Sequence, residues 1–337
     1  MKWQPLHMYY LVIGLLGAGI LAIIGYLFIP VTKHVAVEYG MTFSRPYAKN
    51  DLHLDPDAVL TAALDELKIR HFRLGAYWKY IEPTQGAFDF KDLDNDIKAI
   101  GDRKGTITLA IGQKAPRWPE CWQPDWWKKL PLAQQEETTL TYLRTVVERY
   151  KNNPAIVSWQ VENEPHFEYG DCGKTDPTFH KKEIAFVREL DPTRPITTTD
   201  SGELSFWTSF GKTVDQLGVS VYRVVRNPTL GTWRYFFLPP SFYRHKADLV
   251  SIFGLRSMYV SEFQMEPWSN KPLLETDVDD QLKTFDLKQM RANIEYASKM
   301  GINHIDFWGV EWWYWMKTTQ NHPELWEEAK AIWGPKA

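Results

Sequence analysis

Residues 106–163 contain three runs that decide the fold: TITLAIG (106–112), AQQEETTLTYLRTVVERYK (133–151) and IVSWQVEN (156–163). The first and third are short and apolar, as strands buried on both faces are. The middle run is long and amphipathic, with Leu140, Leu143, Val146, Val147 and Tyr150 spaced for one face of a helix. The segment therefore reads as strand, helix, strand.

The same alternation extends in both directions. Further strands are expected at VAVEYGMTF (from Val35), IRHFRLG (from Ile69), ITTTD (from Ile196), LGVSVYR (from Leu217), SMYVSEF (from Ser257) and HIDFWG (from His304). Helices are expected from Asp55-Pro56-Asp57 through AVLTAALDELK, where Asp caps and Pro opens the first turn. Others fall at KDLDNDIKAIGDR, TFHKKEIAFVREL, a less regular stretch at 206–216, SFYRHKADLVSIF, VDDQLKTFDLKQMRANIEYASKM and PELWEEAKAIW. Eight strand-then-helix units in about 300 residues predict an α/β fold, a single (β/α)8 TIM barrel. A doubly wound open sheet would want a Gly-rich phosphate loop after the first strand, and EYGMTF is not one.

Ahead of the barrel, residues 3–32 carry no Lys, Arg, Asp or Glu, and Met8–Ile29 reads MYYLVIGLLGAGILAIIGYLFI. At about 1.5 Å per residue this run is long enough for a hydrocarbon core about 30 Å thick. Tyr9, Tyr10 and Tyr26 suit the aromatic belts at its two ends. A cleaved signal peptide has a shorter apolar core and a small-x-small site, which IPVTKHVAVEYG does not offer. The expected organisation is a tail (1–7), one N-terminal transmembrane helix acting as signal anchor (8–30), a linker (31–36) and the barrel (37–337). The partners expected on this ground are a lipid bilayer through 8–30 and no nucleic acid, since 39 Lys+Arg against 42 Asp+Glu leave a net charge of −3 without a basic run. Lys2 on one side and Lys33 with His34 on the other leave the orientation undetermined by charge. An enzyme of exported glycans would place its domain outside the cytoplasm, a single-pass membrane protein.

A barrel of this kind carries its site at the C-terminal ends of its strands. Glu164 follows the fourth strand in SWQVENEPHF, and Glu262 closes the seventh in MYVSEFQMEPW. Strands four and seven lie three apart around the ring, so their ends can face each other across the mouth. Two carboxyls held so are what glycosidic-bond hydrolysis needs, one to protonate the leaving oxygen and one to meet the anomeric carbon.

WQVENEP (159–165) resembles the Asn-Glu signature of clan A retaining glycoside hydrolases, and LGAYWKYIEPTQGAFDFKDLD (74–94) is similar to the second-strand region of family 42 β-galactosidases and family 10 xylanases. Family 5 cellulases and mannanases share the two carboxylate positions. The resemblance runs from about Val37 to Trp333 and is specific to the clan rather than to one family. It implies Glu164 as general acid/base and Glu262 as nucleophile, Asn163 on the sugar 2-hydroxyl, and Arg73 orienting Glu262 and keeping it ionised. It implies also that Tyr222 hydrogen-bonds Glu262 and that Trp308 floors the subsite beside the scissile bond. Retention would require the carboxyls about 5–5.5 Å apart. The sequence departs from families 5 and 10 at the third strand, which lacks their His and has Gln113 nearby. It departs from family 5 at the sixth, where Ser220 stands in place of the His of His-x-Tyr. Among other acids, Glu162 is expected behind Glu164, and Glu266 in a loop as a substrate contact or solvated charge, with Glu311 beyond strand eight.

The 16 Trp residues bunch after strand ends: Trp78 after strand two, Trp118, Trp122, Trp126 and Trp127 after three, Trp268 after seven, and Trp308, Trp312, Trp313 and Trp315 at eight. Indoles stack on the C–H faces of sugars, so three to five are expected in glycan subsites, Trp308 first with Trp78 and Trp268 behind it. His166, two past Glu164, is a candidate substrate contact or loop hydrogen-bonder. Cys121 and Cys172 fall in neighbouring loops, which makes a disulfide geometrically plausible and two unpaired thiols the alternative. No H-E-x-x-H or similar spacing occurs among nine His, so no metal and no cofactor are expected. The expected substrate is an oligosaccharide or polysaccharide with β-linkages. Alternatives are a tethered glycan-binding barrel without catalysis and a transglycosylase using the same residues. A Schiff-base lyase would want a Lys at a strand end, and none of the eight ends in one.

Overall fold

The computed structural model describes residues 5–31, 35–168, 170–171, 175–227, 231–269 and 271–334. Its strands are β1 (Glu38–Phe43), β2 (His71–Gly75), β3 (Thr106–Ile111), β4 (Ile156–Val161), β5 (Ile196–Ser201), β6 (Gln216–Val221), β7 (Met258–Gln264) and β8 (His304–Trp308). They pair in parallel and close into a barrel, each beside its neighbours in sequence and β8 beside β1. Every position of β2, β5 and β7 is buried, including the charged Arg73, Asp200 and Glu262.

The helices around the barrel follow from caps and stripes. Pro56–Asp65 starts where Asp55 accepts from the Asp57 N–H, and Pro177–Leu190 where Asp176 accepts from the Thr178 and Phe179 N–H groups. Leu132–Tyr150 buries Tyr142, Leu143, Val146, Val147 and Tyr150 against the sheet. Two expected helices differ. The run from Val278 is divided into Val278–Leu282 and Leu287–Ser298, because Asp286 leaves the first helix and caps the second through the Gln289 N–H. Residues 206–215 form turns instead of a helix. Trp207 and Phe210 are buried there as a plug, with Trp207 Nε1 donating to the Ser201 carbonyl at 2.8 Å. A Cβ on Gly211 would lie 2.7 Å from the Phe253 carbonyl oxygen, so the chain passes too close to its neighbour for a side-chain-bearing helix. After β6 an unexpected antiparallel hairpin, Val224–Asn227 with Gly231–Arg234, rises beside the mouth.

One irregularity positions the site. Val219 pairs with Val260 but Ser220 with Glu262, and on the other side Ile305 pairs with Val260 but Phe307 with Phe263. β7 thus holds one residue more than either neighbour just before its functional end. Bulges of this kind turn a side chain that regular pleating would aim elsewhere.

The N-terminal helix Pro5–Leu27 stands outside the barrel. Its Met8–Leu27 stretch reaches a mean hydropathy of 2.3 over an 18-residue window, none of it buried, and it is the one helix among the described residues long and apolar enough to cross a membrane. Its end leans on the helix Ser241–Val250: the Tyr26 ring lies 4.4 Å from that of His245, and His245 Nε2 is 2.8 Å from the Ile29 carbonyl oxygen.

Candidate active site

Arg73 is at the centre of the barrel mouth. It is fully buried on β2, and each of its nitrogens has a partner: Nε donates to Gln160 Oε1, Nη1 to Glu262 Oε1 and Nη2 to Asn163 Oδ1, all at 2.6 Å. Glu262 receives its second donor from the Tyr222 hydroxyl, 3.0 Å from Oε2. Both of its oxygens are therefore held, one by a fixed cation, which fixes the direction of the carboxyl group.

Glu164 has a different environment. It lies three residues beyond β4, with φ of +42°, and Glu162 before it has φ of +63°. Two side-chain-bearing residues in the left-handed region this close together mark a strained turn, held because its surroundings over-determine it. Glu162 accepts from the backbone N–H groups of Gln113 and Lys114 at 2.7 and 2.6 Å, and the Glu164 N–H donates to Thr199 Oγ1 at 2.8 Å. Gly112, at φ +124°, is obligatory here, since a Cβ would sit 2.3 Å from Glu162 Oε1. The Glu164 carboxyl accepts from Ser220 Oγ at 2.7 Å. Burial, and then the nearby charge of Glu262, push its pKa up to about 8, against the smaller opposing effect of Ser220. At neutral pH Glu164 is a buried acid that keeps its proton, facing a carboxylate clamped by Arg73.

Asn163 is held at both ends of its amide. Its Oδ1 accepts from Arg73 and from Thr199 Oγ1 at 2.8 Å, and its Nδ2 donates to Glu120 Oε2 at 2.7 Å. Glu120, from the loop after β3, escaped the sequence reading, because nothing in PRWPECW marks its direction. Lys114, also beyond β3, directs Nζ to the carbonyls of Glu164 and Phe167, both at 3.1 Å.

The aromatic residues divide. Trp308, ending β8, is held edge-on by Glu266 Oε1, 2.8 Å from its Nε1, with the Arg117 guanidinium 3.9 Å above its ring. Trp268 meets the Tyr222 ring edge to face at 5.0 Å and is half-buried beside Glu262's partner. Trp78 is a correction: it is fully buried, stacks on Tyr142 at 4.6 Å, and donates to Glu82 at 2.7 Å. It faces the outer helices, so no sugar can reach it. Trp312 and Trp313 are likewise fully buried, and the bunching of Trp after strand ends reflects loop packing more than an open aromatic rim. His166 stacks on Phe210 at 4.7 Å and meets His180 edge-on, a packing position under the fourth loop. Glu266 and Glu311 are not solvated: both are buried and grip Arg117, which explains their carboxyls without substrate. Cys121 is buried in the third loop, and the expected pairing falls on Cys172, which lies outside the described residues.

At the opposite end of the barrel His71, His304 and Asp306 converge from the starts of β2 and β8, a cluster of metal-ligand types that sequence spacing did not reveal. His304 Nε2 lies 2.9 Å from Asp306 Oδ1, and His71 Nδ1 2.8 Å from Thr106 Oγ1, so an ion pair and a hydroxyl contact already account for both rings.

Residues 59–183 match the family 42 glycoside hydrolase model, described as β-galactosidase. β-Galactosidase BbgII of Bifidobacterium bifidum is 31% identical over 121 residues, 28% of this chain and 17% of that protein. Mannan endo-1,4-β-mannosidase F of Aspergillus clavatus is 34% identical over 83 residues, 24% of this chain and 17% of that one. The chain thus aligns with less than a fifth of the length of these relatives. Among solved structures, the cold-adapted β-galactosidase of Rahnella sp. R3 superposes with a TM-score of 0.61 at 12% identity, covering 90% of this chain and 56% of its own. Xylanase 10B of Thermotoga maritima gives 0.55 at 16% identity, covering 85% of both chains. The closed barrel is thus a TIM barrel, and its residues 59–183 are similar to family 42 glycoside hydrolases.

Proposed function

We propose that the chain is a retaining glycoside hydrolase, tethered to a membrane by its N-terminal helix with the barrel outside the cytoplasm, that cleaves O-glycosidic bonds of a β-linked glycan by double displacement. The observation that carries this reading is the unequal pairing of two carboxyls at one mouth: Glu262 is clamped by Arg73 and Tyr222, whereas Glu164 meets only a hydroxyl and keeps its proton.

In the first step the Glu262 carboxylate attacks the anomeric carbon while the Glu164 carboxylic acid gives its proton to the departing oxygen. The positive charge that develops on the sugar lies beside Glu262. Once the leaving group has gone, Glu164 is an anion; it takes a proton from water as that water attacks the glycosyl ester and frees Glu262. Asn163, fixed by Arg73 and Thr199, stands beside the attacked carbon, and Trp308 supplies a flat, immobile apolar face.

Replacing Glu164 or Glu262 by Gln is expected to lower hydrolysis of aryl β-glycosides and β-glycan oligomers by three orders of magnitude or more, about what loss of acid or nucleophile costs. Azide should restore turnover of Glu164→Ala with a glycosyl azide of retained configuration, whereas any rescue of Glu262→Ala should give the inverted azide. Full activity in either Gln variant would end the assignment.

A further inference from the structure

The Glu120 carboxyl has no part in the double displacement above, yet the structure holds it firmly at the mouth. Its backbone lies at φ +69°, its N–H donates to the Arg117 carbonyl at 2.8 Å, and its own carbonyl accepts from the Ala115 N–H at 3.0 Å. The fourth loop closes on it from the other side: a Cβ on Gly170 would lie 2.6 Å from both the Glu120 Cβ and the Pro119 carbonyl oxygen. From this position Oε2 takes the hydrogen bond of Asn163 Nδ2.

That bond alters what the site offers a sugar. Asn163 Oδ1 and the carboxylate that attacks the anomeric carbon are held by the same guanidinium. The sugar substituent nearest this group is the one on the carbon adjacent to the anomeric centre, where hydrogen bonds strengthen in the transition state. With its oxygen saturated and one amide hydrogen spent on Glu120, Asn163 presents this substituent with a carboxyl neighbour. In its ionised form that carboxyl accepts, and it favours a cationic donor over a neutral one.

The charge balance points the same way. Glu120, Glu164 and Glu262 gather at the mouth, where Arg73 holds Glu262 and the Lys114 charge partly offsets the raised pKa values of Glu120 and Glu164. Burial, followed by the charges of Glu262 and Glu164, holds Glu120 well above the ordinary carboxyl range. An ammonium group on the substrate would favour the ionised form of Glu120, which a neutral sugar would not.

We infer that the sugar bound against Glu262 is a 2-amino-2-deoxy-β-glycoside whose ammonium group is recognised by Glu120. This rests on the glycosidase reading above. Glu120 is a substrate-binding residue in this account; Glu164 and Glu262 keep their roles.

The test uses the full chain in detergent. Rates are compared on β-linked oligosaccharides and aryl glycosides in gluco, galacto and manno series, each member differing only at carbon 2: hydroxyl, acetamido or ammonium. In the series that is cleaved, the ammonium sugar should exceed its hydroxyl counterpart at least about tenfold in kcat/KM, the scale of a charged hydrogen bond. The advantage should vanish as the ammonium loses its proton, and Glu120→Gln should collapse the ratio toward unity. An equal or better rate on the hydroxyl or acetamido sugar by the unaltered chain overturns the inference and leaves the hydrolase reading standing. So does a ratio that Glu120→Gln does not change. The comparison on the unaltered chain needs no variant to fold. Cleavage of no series, with no labelling of Glu262 by an activated 2-fluoro glycoside, ends the hydrolase reading and this inference together.

Discussion

Two pairs of glutamates sit on either side of β4, and only one pair has the unequal partners that the proposed acid and nucleophile require. At the mouth, Glu164 and Glu262 differ in every partner: a hydroxyl on one, a guanidinium and a phenol on the other. Behind the strand, Glu162 accepts two backbone N–H groups and faces Glu183, a fully buried carboxyl on the helix Pro177–Leu190 whose oxygens meet no nitrogen or hydroxyl donor. Burial, then the charge of Glu162, drives the Glu183 pKa well above the ordinary range, so it stays protonated as a packing element. A perturbed carboxyl alone therefore does not mark chemistry. Asymmetric pairing at the strand ends of a barrel does.

The largest effects should separate the pairs outright. Glu262→Gln and Glu164→Gln should each remove at least about a thousandfold of activity, whereas Glu183→Gln should leave activity intact. Arg73→Met should cost activity and also destabilise the fold by about 3–5 kcal/mol, because it leaves Glu262 buried without its cation; chemical denaturation measures the second effect.

A smaller effect sharpens the assignment of the acid. Glu164 is protonated below about pH 8, so kcat/KM should fall as pH rises through that value. Ser220→Ala removes a hydrogen bond that favours the ionised form, so the alkaline limb should move to higher pH. A limb that moves down, or stays fixed, would place the titrating acid elsewhere.

The smallest effect is on stability alone. Glu183 has a folded-state pKa raised above its unfolded value, so the stability it contributes is present below the unfolded value and lost as pH rises through the folded one. Unfolding free energy should decline as pH rises above the unfolded carboxyl range, and Glu183→Gln should flatten that decline without touching the activity profile. Urea titrations at several pH values measure both.

How much of this was legible in the sequence depends on where the information lies. The eight strands could be read because buried parallel strands are locally apolar, and Glu164 because it is embedded in the contiguous WQVENEP. Glu262 and its link to Arg73 span 189 positions and came from resemblance and barrel geometry, not from local pattern. The bulge in β7 and the Ser220 bond to Glu164 depend on register, which hydrophobic runs do not specify to one residue. Trp78 was misplaced for a related reason: its position after β2 was plain, but its orientation toward Tyr142 is a property of packing. The turns at 206–215 replaced an expected helix because close passage of Gly211 by Phe253 and burial of Trp207 outweighed propensity. Glu120 had no sequence signal, since its importance lies in reaching Asn163 across 43 positions.

The account as a whole stands on Glu262 forming a covalent bond to the sugar. Incubation with a slow 2-fluoro glycoside followed by peptide mass mapping tests this most directly. The account predicts one glycosyl adduct, on the peptide containing Glu262, abolished by Glu262→Gln. An adduct on Glu164 or Glu120, or cleavage that inverts the anomeric centre with no adduct at all, would contradict it.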